Sequence, residues 1–153
     1  MLVRKTELIV YDFDGVMTDN KVIFMEDGSE GVAVNRSDGL AVDIFKKRGI
    51  SQVILSTEKN KVVTARARKL GIPALQGISD KSSSLKKYCR QNKINVKNVV
   101  YVGNDLNDLE VMKIAGCPVC PSDACRQVKA VARIILDTAG GDGVVRELLE
   151  HIK

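Results

Sequence analysis

Asp12 and Asp14 stand one residue apart where an apolar run, Leu8–Tyr11, gives out, and Gly15 follows them. In extended backbone, alternate side chains flank one centre, so two acids at this spacing can bracket a reacting atom. A second polar cluster, Gly103-Asn104-Asp105-Leu106-Asn107-Asp108, follows the apolar run Val99–Val102. Ser56 and Thr57 close a third such run. Carboxylates drawn from two strand ends repel one another unless a cation lies between them. Oxygen ligands with no histidine nearby select magnesium over zinc. Asp12, Asp14, Asn104, Asp105 and Asp108 are therefore the candidate metal set: either Asn104 ligates through its amide oxygen, the favoured reading, or Asp105 replaces it, and Asp108 stands behind them to hold Lys81 or metal-bound water.

These residues need strands to carry them. Leu8–Asp12, Gln52–Leu55 and Val99–Val102 are continuous apolar runs of the kind that are buried on both faces. Lys21–Phe24 and Val32–Asn35 flank the turn signal Glu26-Asp27-Gly28 and predict a β-hairpin after the first strand. Asp38–Arg48 carries Leu40, Ala41, Ile44 and Phe45 at helical spacing, opened by a capping residue and closed by Gly49. Further helices are predicted over Asn60–Leu70, Ser82–Asn92, Leu106–Ala115 and Val144–His151. Short strands are predicted around Val119 and over Arg133–Leu136. Alternating strands and helices predict an α/β fold: a Rossmann-like parallel sheet with helices on both faces, formed by residues 1–153 as one domain. Ligands of such sheets bind beyond the carboxyl ends of the strands, where every candidate residue falls.

The bulk properties agree. The chain has 153 residues, 44% hydrophobic and 28% charged, with 4% aromatic and no Trp, so its core is aliphatic. A net charge of +5 favours an anionic partner. Lysines and arginines are scattered, without a basic run or interleaved aromatics, which argues against nucleic acid and for an anionic small molecule. Cys117-Pro118-Val119-Cys120 has metal or redox spacing, but only Cys125 and His151 could complete a site, so buried strand residues are expected. No signal peptide or membrane-spanning run is read, and a reducing cytoplasm is the expected compartment.

Asp12-Phe13-Asp14-Gly15-Val16-Met17-Thr18-Asp19 resembles the first motif of the haloacid dehalogenase-like phosphatases. Ser56 is similar to the second motif, Lys81 in Gly77-Ile78-Ser79-Asp80-Lys81 to the third, and Gly103–Asp108 to the fourth, in the family's order. The resemblance implies that Asp12 is the nucleophile and Asp14 the general acid and base. It implies that Ser56 and Lys81 hold the phosphoryl oxygens, with magnesium as cofactor. With only a hairpin and one helix between Asp14 and Ser56, no cap domain is expected. Gly15–Asp19, Ser37–Val42 and the tail Gly140–Glu147 resemble the capless branch that hydrolyses phosphates of eight- or nine-carbon 2-keto-3-deoxy sugar acids, Kdo or sialic acids.

Members of that branch are homotetramers packed through the hairpins, and a mobile Gly140–Gly143 tail carrying Arg146 toward a neighbouring site is expected by the same resemblance. The eight-carbon enzymes carry a T-G-R pattern after the second motif, whereas this chain has Ser56-Thr57-Glu58. Glu58 at the Arg position, together with Lys69, resembles the nine-carbon phosphatases, so Thr57, Glu58, Lys69 and Arg146 are expected at the substrate. Similar domains are fused to acylneuraminate cytidylyltransferases, which keeps a non-catalytic assembly role as the alternative.

Overall fold

Leu8–Tyr11 (β1), Ser51–Leu55 (β4) and Val99–Val102 (β6) are almost wholly withdrawn from water, which requires cover on both sides of the sheet they form. The computed structural model describes residue 3 and residues 5–153. The chain first makes a short hairpin, Ile23–Phe24 (β2) and Glu30–Gly31 (β3), then helix Arg36–Lys47 (α1) before β4. Helix Lys61–Leu70 (α2), strand Ala74–Leu75 (β5) and helix Lys81–Gln91 (α3) lead to β6. After it come helix Leu109–Ile114 (α4), strand Cys117–Cys120 (β7), helix Arg126–Val131 (α5), strand Ile134–Ile135 (β8) and helix Val144–His151 (α6).

Among the described residues, six strands form one parallel sheet in the order β5-β4-β1-β6-β7-β8. The chain winds outward from β1 to one edge, then returns to start β6 on the other side of β1. That reversal opens a crevice at the carboxyl end of β1, where the candidate residues sit. Side chains alternate as the pleat requires. Ile9 and Tyr11 join Val42, Phe45, Leu70 and Leu148 of α1, α2 and α6, while Leu8 and Val10 join Leu85, Met112 and Val128 of α3, α4 and α5. Between Asp14 and Ser56 the described chain holds only the hairpin and α1, so no cap domain covers the crevice. No helix among the described residues is long and apolar enough to cross a membrane.

Several boundaries differ from the sequence expectation for physical reasons. The second hairpin arm is Glu30–Gly31 and not Val32–Asn35: Gly28, with φ +81°, tightens the turn, and the Met25 N–H donates to the Ser29 carbonyl at 2.9 Å. Val32 instead packs toward the core. Helix α1 begins two residues early because Asn35 accepts from the Ser37 N–H at 2.9 Å. Asp38 is buried inside that helix and caps another, accepting the Arg146 N–H of α6 at 3.0 Å. Burial pushes its carboxyl up to about 6 despite that bond and the nearby Arg66 charge. Leu40 lies outside the buried stripe, exposed, and Val42 takes its place.

The helix expected over Leu106–Ala115 opens with a 3₁₀ turn, Leu106–Asp108, before α4. Cys117 and Cys120 are free, buried strand residues. The Gly140–Gly143 tail, expected to be mobile, is docked: the Gly141 N–H donates to the Val16 carbonyl at 3.1 Å. Glu147 further holds the N–H groups of Asp137 and Thr138 at 3.0 and 2.8 Å.

Candidate active site

Asp12 continues the β1 ladder for one residue, its N–H donating to the Val102 carbonyl at 2.9 Å. Phe13, Val16 and Met17 then plunge into the core, so the loop is anchored from below while Asp12 and Asp14 face the crevice. Gly15 turns with φ +81°, and a Cβ there would overlap the Asn104 amide at 2.0 Å, so no other residue fits. Asp12 is buried, with Oδ1 accepting the Phe13 N–H at 2.8 Å; Asp14 is half-buried.

Lys81 opens α3, a start fixed by Asp80 capping the Ser83 N–H, and its side chain is buried with the acids. Its Nζ lies 3.0 Å from Asp12 Oδ1 and 2.8 Å from Asp108 Oδ1. Asp108 is fully buried and fully occupied: it also accepts from the Tyr101 hydroxyl at 2.7 Å, the Asn104 N–H at 2.9 Å and the Asp105 N–H at 3.3 Å. Asp108, counted in the metal set but expected behind the ligands to hold Lys81 or metal-bound water, has its oxygens committed to fixing Lys81 and the Asn104 backbone. Asp105 is exposed and spends Oδ1 on capping the Leu106 N–H at 2.7 Å.

Asn104 is buried, with one terminal atom of its amide 3.2 Å from Asp12 Oδ2 and 3.0 Å from the Asp14 carbonyl oxygen. Both neighbours are acceptors. With the NH₂ group toward them the amide hydrogen-bonds both; with its oxygen toward them three oxygens converge, and a cation is required. Among the described residues no three His, Cys, Asp or Glu side chains form a metal cluster. The donor set here is one carboxylate, one amide and one backbone carbonyl, which suits a hard divalent cation.

Charge balance points the same way. Burial works against the Lys81 ammonium, but Asp12 and Asp108 together raise its pKa and hold it charged. Two buried carboxylates against one ammonium leave a negative charge uncompensated. Burial accordingly pushes Asp12 up to about 8, with Asp108 adding to the rise and Lys81 opposing it. Asp14 is raised as well, by burial first and then by the charges of Glu58 and Glu30.

Ser56 reaches the crevice at the end of β4, buried, its Oγ accepting the Glu58 N–H at 3.1 Å, with Thr57 half-buried beside it. Glu58 and Asp14 line one pocket of about 270 Å³ with Asn20, Glu30, Asn60 and several valines. Glu30 and Asn60 are joined at 2.6 Å, which ties the hairpin to the start of α2. Two expected residues lie elsewhere. Lys69 lines a separate cavity of about 230 Å³ with Arg36 and Arg66, and Arg146 lines a third beside Asp142 and Glu147. Tyr101, Glu30 and Asn60 were not foreseen. Tyr101 is the polar tip in an otherwise aliphatic strand, a signal that was available; Glu30 had none.

The profile of the haloacid dehalogenase-like hydrolases matches residues 52–148. The chain belongs to the haloacid dehalogenase-like hydrolases. It is 34% identical over 144 residues to the 3-deoxy-D-manno-octulosonate 8-phosphate phosphatase of Salmonella typhi, covering 94% of this chain and 77% of that one. The corresponding enzyme of Moraxella catarrhalis, solved with magnesium, phosphate and KDO, superposes with a TM-score of 0.91 at 33% identity, covering 95% and 84% of the two chains. A HAD family hydrolase structure from Streptomyces avermitilis gives 0.96 at 44% identity, covering 99% and 88%. N-acylneuraminate cytidylyltransferase A of Danio rerio is 29% identical over 147 residues; this hydrolase spans 95% of itself but only 34% of that protein, about a third of its length. As in its phosphatase relatives, the chemistry is that of a phosphoric monoester hydrolase.

Proposed function

We propose that this hydrolase is a magnesium-dependent phosphatase of 2-keto-3-deoxy sugar acid phosphates, with the nine-carbon substrate favoured over the eight-carbon one. The observation that carries the reading is the setting of Asp12, with the Lys81 ammonium 3.0 Å from one oxygen and the end of the Asn104 amide, itself 3.0 Å from the Asp14 carbonyl, 3.2 Å from the other. One Asp12 oxygen attacks phosphorus as the bond to the leaving alkoxide breaks, and Asp14 delivers its proton to that alkoxide. Asp14 then takes a proton from the water that attacks the aspartyl phosphate, releasing phosphate and restoring Asp12. Lys81 and Ser56 hold the phosphoryl oxygens through both steps. A magnesium ion held by Asp12, the Asp14 carbonyl and Asn104 would supply charge neutralisation for the phosphoryl group.

Among the described residues no lysine or arginine lines the pocket beside Asp14. Asn20, Glu30, Glu58 and Asn60 are suited to reading hydroxyls, which supports a polyhydroxylated leaving group whose carboxylate lies farther off. The panel that tests this is phosphate release from eight- and nine-carbon sugar acid phosphates, with and without magnesium. No release from any of them would favour the assembly role, which the likeness to the cytidylyltransferase supports. Within an active panel, Glu58→Arg is expected to move the ratio of kcat/KM toward the eight-carbon substrate by about tenfold. An unchanged ratio would make Glu58 a bystander.

Lys69 and Arg146 fit the substrate carboxylate only if presented to a neighbouring copy. The hairpin supports such a neighbour: Val22, Ile23, Phe24 and Met25 are all exposed, Phe24 by 70%. A two-stranded hairpin is marginal without cover. We read it as the seam of a homotetramer. Phe24→Asp is expected to shift sedimentation from tetramer to smaller species at micromolar concentration; a wild-type monomer would rule the seam out.

A further inference from the structure

The geometry points to Asp123 as a positioning residue that clamps together the two halves of the cation site. Asp123 lies in the turn between β7 and α5, outside every motif. That turn grips Asn104 on one side, where the Cys125 N–H donates to the Asn104 carbonyl at 2.9 Å. On its other side it is zipped to the tail. The Ser122 N–H donates to the Thr138 carbonyl at 3.0 Å, and Asp123 Oδ1 accepts the Gly140 N–H at 2.9 Å.

The tail in turn presses on the loop that carries Asp14. A Cβ on Gly140 would fall 2.2 Å from the Gly15 carbonyl oxygen, and the Gly141 N–H donates to the Val16 carbonyl at 3.1 Å. Gly15 itself lies against the Asn104 amide. The contacts thus close into a ring running from Asn104 through Cys125, Asp123, Gly140 and Gly15 back to Asn104. Inside that ring the Asp14 carbonyl and the Asn104 amide converge. The Asn104–Cys125 and Gly140–Gly15 links are backbone to backbone. The Asp123 carboxylate is the side-chain link that joins the turn to Gly140, so it is where the ring can be cut without altering the backbone or any residue at the reacting centre.

The inference rests on the cation reading above and is tested on the purified full chain by calorimetric titration with magnesium, alongside steady-state phosphate release and thermal melting. Asp123→Ala is expected to weaken magnesium binding by about 10- to 100-fold, the usual effect of losing a group that orients ligands from behind. It should lower kcat more than it raises KM. Asp123→Asn, which keeps an acceptor for the Gly140 N–H, should restore most of the affinity. An Asp123→Ala protein that melts earlier yet binds magnesium as the wild type does would make the contact merely structural and overturn the proposal. A wild-type chain that binds no magnesium would overturn both this inference and the function it rests on.

Discussion

Replacing Asp12 by asparagine is expected to abolish turnover, by on the order of 10⁴-fold or more, while the fold gains stability in the absence of metal. Asparagine keeps the volume and keeps an oxygen for the Phe13 N–H and for Lys81, the two contacts of Asp12 Oδ1. It loses the nucleophile. The stability gain follows from linkage. Asp12 is raised from 3.8 to about 8 by burial, so its favourable contribution is fully present below pH 3.8 and lost as the pH rises through about 8. A neutral amide titrates nowhere in that window. The melting temperature of Asp12→Asn minus that of the wild type should therefore grow between pH 4 and pH 8 without metal, and shrink when magnesium is added to the wild type. Residual turnover within tenfold of wild type would remove Asp12 from the nucleophile's role. A flat difference across pH would show that the buried charge is already compensated.

That buried excess of charge was legible in outline from the sequence, because carboxylates at the ends of buried strands are a pattern of residue type and spacing. Asp12, Ser56, Lys81 and Asn104 come from segments far apart in the chain, yet a parallel sheet reversing beside β1 brings them to one crevice. Strand faces were legible for the same reason: a run such as Leu8–Tyr11 has one structural solution once helices cover both sides. Short elements were not. Ala74–Leu75 has two residues between Gly71 and the next loop, and Arg126–Val131 has too few turns to display a period.

Pairings set by tertiary contact were equally hidden. Nothing local says that Asp38 caps α6, or that Asp108, expected to hold Lys81, would also take the Tyr101 hydroxyl and two backbone amides. Lys69 illustrates a different limit. Placed at the substrate by resemblance alone, it sits eight residues beyond Lys61, the start of α2, a rise of about 12 Å along the axis, and lines a different cavity from Glu58.

Asn104→Asp is the substitution that asks most of the site. The amide touches Asp12 Oδ2 and the Asp14 carbonyl, and its place is enforced by Gly15 on one side and by backbone bonds to Asp108 and Cys125 on the other. A carboxylate there keeps the shape and adds a full charge to a divalent cation's ligands, where the amide offers only a dipole. The magnesium concentration for half-maximal activity is expected to fall about tenfold, equivalent to about 1.4 kcal/mol. Without metal the same change adds a third carboxylate to Asp12 and Asp108 around a single ammonium, which like-charge repulsion opposes. The metal-free variant should therefore melt below the wild type, and magnesium should raise its melting temperature by more than it raises the wild type's. Asp105→Asn should alter neither quantity appreciably, since Asp105 is exposed and turned toward the Leu106 N–H. If Asp105→Asn instead removes the magnesium dependence and Asn104→Asp leaves it unchanged, Asp105 is the ligand, and the cation sits on the outer side of the loop away from the Asp14 carbonyl. The lower metal-free melting temperature together with the larger magnesium-induced rise separates a ligand from a residue that only packs. A packing residue would shift both melting temperatures together.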